Sequence, residues 1–184
     1  YYGNPIKSIW IYLLLNLLIE IIVLILRKNK IEFLWIYNWF GVIEYYFISL
    51  LYSFSFINTK IKKITNISFV IYLAFSIVNH LYLKALFVYQ YCFIIRCMLF
   101  TILVLYYFYE LFRYDKIAQI NHNLMFWISL GFFFFSTGSI FIMGLGYEVY
   151  RIDKELAQII FLFNPILNIY LFLMFIVGFY ANRS

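Results

Sequence analysis

The residues of this sequence that could do chemistry are polar or ionisable side chains inside long apolar runs. They are Glu20, Glu44, His80, Arg96, Asn164 and Asn168. A carboxylate near the middle of a lipid-embedded helix costs about 2.5–3.5 kcal/mol unless it is paired or protonated. Ionisable residues in such places are therefore candidates for binding a small ligand, a cation or a proton.

Three of these residues are charged, and their positions predict that they meet. From a helical rise of about 1.5 Å per residue, Glu20, Glu44 and Arg96 all lie near the centre of their runs, displaced toward the same membrane face. One inward-facing cluster costs less free energy than three charges facing lipid. We expect at least one Glu within salt-bridge reach of Arg96. The remaining carboxylate is our candidate for proton or cation binding, with His80 as a second partner.

Two interpretations of these polar residues stay open. They are either a polar pocket for a ligand or interhelical contacts that only support packing, which are worth about 0.6 kcal/mol on average. His80 lies in no pattern of His, Cys and carboxylate spacing that predicts a metal site, so we expect no metal and no cofactor. Asn164 precedes Pro165, which removes a backbone N–H and predicts a kink in the last run.

The composition predicts an integral membrane protein. Hydrophobic residues make up 66% of the 184 residues and charged residues 12%, against about 45–50% and 25% in soluble domains. The net charge is +6, but the basic residues lie mostly in short links between apolar runs. Such residues set membrane topology and contact lipid head groups. We therefore expect a lipid bilayer, and no nucleic acid, as partner.

The polar candidates must be positioned by six apolar runs, each close to the roughly 20 residues that one crossing needs. The runs are residues 8–26, 34–57, 67–85, 88–112, 124–146 and 159–181. Short connections predict antiparallel neighbours in one domain over 1–184. The fold class is thus an all-α integral membrane protein, a bundle of six transmembrane helices, with Asn123 as the N-cap of the fifth. Basic residues number seven on one side and six on the other, which leaves the orientation open.

Two aromatic stretches resemble segments of small multipass proteins of Bacteroidetes. In that family an N-P-x-F-W-I-x-x-G-x-x-x-Y-x-x-G-like stretch opens a late helix, as LMFWISLGFFFFSTGSIFIM does here, and an L-W-x-x-H-x-x-x-x-x-E-Y stretch resembles LWIYNWFGVIEYY. Asn38, Leu124 and Phe135 stand where the family has His, Pro and Tyr. The resemblance covers 35–180. It implies a helical fold in the bacterial inner membrane and a further N-terminal helix, seven in all, but no activity.

Several function classes remain for such a protein. The first is a sensor or receptor-like protein that binds a small or lipophilic ligand and signals through a protein partner or a homo-oligomer. The alternative is a non-catalytic subunit of a larger membrane complex, and the third is a proton- or cation-coupled transporter. An enzyme is not expected, because the sequence shows no nucleophile–base pair and no set of metal ligands.

Overall fold

The computed structural model describes residues 3–31, 33–82, 86–114 and 122–182, and the regular structure in these ranges is helical throughout. This confirms the all-α prediction. The helices are α1 Gly3–Lys28, α2 Leu34–Ser55, α3 Thr59–Tyr82, α4 Leu86–Arg113, α5 Leu124–Ile152, α6 Lys154–Phe161 and α7 Phe163–Ala181.

Among the described residues, five helical segments are long and apolar enough to cross a membrane. They are Lys7–Lys28, Thr59–Leu81, Tyr91–Arg113, Leu124–Ile152 and Lys154–Ala181. The predicted second span forms α2 but is not among the five. Asn38, Glu44 and several Tyr and Trp residues lower the mean hydropathy of α2, because their side chains interact favourably with water.

The helices extend further into the predicted links than the apolar runs indicated. Asn58 Oδ1 accepts a hydrogen bond from Lys60 N at 2.9 Å, and α3 begins at Thr59 rather than at 67. α5 continues past 146 to Ile152, so most of the link predicted after it is helical. Asp153 alone separates α5 from α6, and its side chain caps α6. The polar residues that flank these two apolar runs are therefore helical. The residues that end the helices, Asn58 before α3 and Asp153 after α5, lie beyond them.

Two local predictions are confirmed. Asn123 caps α5, because its Oδ1 accepts from Met125 N at 3.0 Å. α6 ends at Phe161, four residues before Pro165, and α7 begins at Phe163. A proline cannot donate to the carbonyl four residues earlier and its ring crowds that carbonyl, which is why the last run is broken there.

The chain divides into two compact units, residues 1–96 and 97–184, which are described separately. Our prediction of one domain over 1–184 stays a prediction. In the first unit, α1, α2 and α3 run antiparallel to their neighbours: Tyr12 contacts Glu44, and Trp39 contacts His80. Tyr45, buried on α2, bonds the hydroxyl of Ser68 on α3 at 2.8 Å. These contacts fix the register of α2, which carries Glu44.

The second unit is built on close approach of α5 and α7. A Cβ added at Gly131 would lie 2.8 Å from Met174 Cβ, and one at Gly138 would lie 2.6 Å from Leu167 Cδ1. Gly131 and Gly138 are seven residues apart, so they share one face of α5. At Gly131 the clash would be with an atom fixed to the α7 backbone, whereas at Gly138 it would be with the movable end of Leu167. Glycine at 131 therefore lets the two helices pack closely.

Candidate functional site

α2 carries several of the buried residues of the first unit, polar ones among them. Buried positions recur there at helical spacing, at Asn38, Gly41, Tyr45, Ile48 and Tyr52. Glu44, on the neighbouring row, is buried as well. A helix with so many enclosed tyrosines and polar groups is an internal element of its unit. α2 therefore carries the site, although it is not among the five long apolar segments.

Glu44 and Arg96 form a buried ion pair. Arg96 Nη1 lies 3.1 Å from Glu44 Oε2, and the two side chains are 9% and 8% exposed. The pair joins α2 to α4 within the first unit. The prediction that at least one Glu lies within salt-bridge reach of Arg96 is confirmed. A charge pair this deeply buried needs further hydrogen bonds to offset its desolvation.

Tyr12 supplies one of those bonds. Its hydroxyl donates to Glu44 Oε1 at 2.9 Å, and Tyr12 is buried. Each oxygen of the carboxylate thus has its own donor, and we call Tyr12, Glu44 and Arg96 the triad. Our sequence reasoning missed Tyr12, because one of 19 tyrosines in the chain is not distinguished by its type. Its antiparallel register opposite Glu44 is the only signal that marks it.

Gly41 makes room for the Arg96 side chain. A Cβ added at Gly41 would collide with Arg96 Nη1, and it would lie 3.1 Å from Arg96 Cζ and 3.5 Å from the Tyr72 hydroxyl. The guanidinium therefore lies directly against the backbone of α2. Its other face is covered by the Phe93 ring, whose centroid is 5.0 Å from Arg96 Cζ, a cation–π arrangement. These contacts hold Arg96 in the orientation that meets Glu44.

Glu20 does not join the triad, and the prediction that all three charges meet at one depth is wrong in this respect. Its side chain is exposed, and the Tyr37 hydroxyl donates to its two oxygens at 3.4 Å each. Tyr12 is the α1 residue that reaches Glu44, and Glu20 lies eight residues, about 12 Å, further along α1. The error arose because we aligned the centres of the apolar runs, whereas side-chain packing sets the register of α1 on α2.

His80 is placed near the end of α3, against another aromatic ring. Its ring centroid is 5.2 Å from that of Trp39, in an edge-on arrangement. Trp39 lies five residues before Glu44, so the contact that the structure gives His80 is not with the ion pair. Among the described residues no hydrogen-bond partner reaches the buried His80 Nδ1 or Asn38 Oδ1. His80 Nδ1 and Asn38 Oδ1 are thus unsatisfied buried polar atoms of the first unit that lie outside the triad.

Asn164 and Asn168 belong to the second unit and bond within it. Ser139 Oγ on α5 donates to Asn164 Oδ1 at 3.3 Å, and Asn168 Nδ2 donates to Asn164 O at 3.2 Å. The second bond is made within α7, one turn after the break before Pro165. Asn164 thus connects α5 to α7, and Asn168 stabilises the start of α7.

The triad consists of a carboxylate, a phenol and a guanidinium, and each Glu44 oxygen has a contact with one of the two partners. In the described ranges, no three His, Cys, Asp or Glu side chains lie together as a metal site would require. No protein-family model, curated protein or solved structure matches the chain. Fold and site define a helical protein whose five long apolar segments suggest an integral membrane protein.

Proposed function

We propose that this chain is a six-span membrane protein of the bacterial inner membrane, sensor or receptor-like, and that the triad is a latch which a ligand opens. α2 is the sixth span, in addition to the five long apolar segments. The resemblance to the multipass proteins of Bacteroidetes supports the location. The observation that carries the proposal is the buried Glu44–Arg96 pair, which joins α2 to α4. Another charged group could replace either partner of this pair.

An ion pair suits a latch because its partners can be replaced by other charges. A ligand shifts a conformational equilibrium only by its difference in affinity for the two states. A neutral lipophilic carboxylic acid could give its proton to Glu44 and, as the carboxylate, take the place of Glu44 on Arg96. The loss of the α2–α4 connection would be the signal passed to a partner. A small or lipophilic acid is thus the ligand class that the triad supports.

Thermal unfolding of the purified protein with a panel of fatty acids and small carboxylates tests the latch. A true ligand at about 100 times its Kd stabilises the native state by about 2.7 kcal/mol and raises the Tm. The Glu44→Gln/Arg96→Gln double variant should lose this response. Arg113→Gln, which alters an exposed arginine on the same helix, should keep it.

The latch proposal fails if no acid raises the Tm of the parent protein. It also fails if the double variant responds as the parent does, because the acid would then bind elsewhere. In either case the triad only supports packing.

Cysteine labelling tests the six spans. A cysteine introduced at 61 or 118 should be labelled from the side of the membrane opposite to one at position 30. Background labelling is low, because the two native cysteines, Cys92 and Cys97, are buried. Labelling of all three positions from one side would contradict the topology.

A non-catalytic subunit of a larger membrane complex is the second candidate, and one observation favours it. In the most apolar 18-residue stretch of Lys154–Ala181 only 11% of the residues are buried, against 39% in that of Leu124–Ile152. So much apolar surface is available to other subunits as well as to lipid. Purification in mild detergent separates the candidates: a stable monomer or homodimer favours the sensor, and constant co-purification with other subunits favours the complex.

A further inference from the structure

Glu20 is a carboxylate on the outer face of a helix that is long and apolar enough to cross a membrane. It lies within the segment Lys7–Lys28, eight residues and so about 12 Å from the Lys28 end. Its side chain is exposed. Charged side chains within a span almost always face protein or a water-filled cavity. The position of Glu20 therefore indicates that protein covers this face of α1.

The contacts of Glu20 are weaker than those of Glu44. The Tyr37 hydroxyl lies 3.4 Å from both Glu20 oxygens, beyond the usual 2.5–3.0 Å for such a bond. Neither the Arg96–Glu44 nor the Arg151–Glu148 ion pair involves Glu20. Glu20 is thus a carboxylate with a neutral donor on one side and an open approach on the other.

Large apolar side chains surround this carboxylate on the same side of α1. One stripe of α1 consists of residues spaced three and four apart. We call it the Glu20 face, and its members are Leu17, Glu20, Ile21 and Leu24. The three apolar members are 63%, 45% and 61% exposed. An apolar stripe with one polar group is the pattern by which a second transmembrane helix is recognised, through packing and an interhelical hydrogen bond.

We propose that the Glu20 face docks a transmembrane helix of a partner protein that carries a Lys or Arg at the depth of Glu20. Charge complementarity favours this occupant, because among the described residues the hydrogen-bond donor to Glu20 is the neutral Tyr37 hydroxyl, and a cation would complete the carboxylate. A second copy of this chain would instead bring one Glu20 toward another. The inference rests on the membrane-spanning arrangement proposed above, but it does not depend on the latch.

A synthetic helix tests the proposal without a known partner. The probe is a Leu/Ala transmembrane peptide with a single Lys at the depth of Glu20, compared with the same peptide carrying Leu there. Energy transfer from labelled protein to labelled peptide in phosphatidylcholine vesicles measures association. We expect the Lys peptide to bind about tenfold more tightly. Glu20→Leu should abolish this preference, and Glu148→Gln, which alters an exposed carboxylate at the end of α5, should keep it.

Three results would overturn the inference. The two peptides could bind the parent protein equally, or Glu20→Leu could retain the preference for Lys. Labelled copies of the protein could also associate with one another through the Glu20 face, without competition from the Lys peptide, which would make a second copy the occupant. If the cysteine labelling contradicts the six spans, the fault lies with the proposed membrane arrangement. If that labelling agrees and the peptides bind equally, only the docking proposal fails.

Discussion

The two units of this chain, residues 1–96 and 97–184, contain different kinds of interhelical contact. In the first, α2 meets its neighbours through the triad and through a hydroxyl bond between Tyr45 and Ser68. In the second, glycines on α5 let α7 approach closely, and Phe132 packs edge-on against Phe175 with ring centroids 5.7 Å apart. The first unit is thus joined through a charged pair, whereas in the second the close glycine contact is accompanied only by bonds between neutral groups such as Ser139 and Asn164 among those described.

The difference matters because lipid affects the two kinds of contact differently. Apolar packing in a membrane gains little from excluding lipid, so it depends on close van der Waals fit between helices. A buried ion pair has a high desolvation cost and becomes unfavourable once one partner is removed. Small changes at the glycine contact should therefore lower the free energy of unfolding only moderately. Loss of one charged partner of the triad should lower it more, and exchange of that partner for another charge should be reversible. This is why we assign the ligand response to the first unit.

The largest effect is expected from Arg96→Ala in the first unit. The substitution leaves Glu44 buried without its cation, and we expect the free energy of unfolding to fall by about 3–5 kcal/mol. Unfolding in mixed detergent and dodecyl sulfate micelles measures it. Adding Glu44→Gln removes the uncompensated charge and should recover part of the loss. A single variant as stable as the parent would show that the pair contributes nothing to the first unit.

The glycine contact of the second unit is tested by Gly131→Ala. The new Cβ would lie 2.8 Å from Met174 Cβ, an atom fixed to the α7 backbone, so the helices must separate. We expect a loss of about 1–3 kcal/mol in the same unfolding assay. Gly144→Ala is the matched control on the same helix, since a Cβ there meets nothing within 4 Å, and it should be neutral or slightly stabilising. Equal effects at the two positions would refute packing at Gly131 as the cause.

Tyr12→Phe tests how much the Tyr12 hydroxyl contributes to the triad. It removes the hydroxyl that donates to Glu44 Oε1 but keeps the ring and the ion pair. We expect a loss of about 1–3 kcal/mol, because a buried carboxylate oxygen loses its donor. Tyr91→Phe is the control, an exposed tyrosine whose change should have little effect. If both variants unfold alike, Tyr12 is not part of the latch.

The smallest effect is expected from Glu20→Gln. Because this side chain is exposed, we expect the free energy of unfolding of the isolated protein to change by less than about 0.5 kcal/mol. Glu44→Gln, measured alongside, should destabilise clearly more, since it removes one charge of a buried pair. A large effect at Glu20 would mean that it contributes to the first unit as Glu44 does.

Much of the fold could be predicted from hydrophobic runs and local caps. The runs predicted every long helix, Asn123 was identified as a cap, and Pro165 marked the break in the last run. Links were predicted less well, because polar residues at 147–152 continue α5 and are indistinguishable by polarity from a loop. Residues 115–121, in the predicted link before α5, lie outside the described residues, as does Lys84.

The sequence by itself determined that the protein is helical and highly apolar, and it predicted that Arg96 pairs with at least one of Glu20 and Glu44. These conclusions follow from hydropathy and from the cost of placing charge in lipid, which depend on composition and on order along the chain. Only the tertiary structure decided that Tyr12 completes the pair, that Gly41 admits the guanidinium and that Glu20 faces outward. Those outcomes depend on the register between helices, which is fixed by side-chain packing between segments distant in sequence and leaves no periodic mark within any one of them.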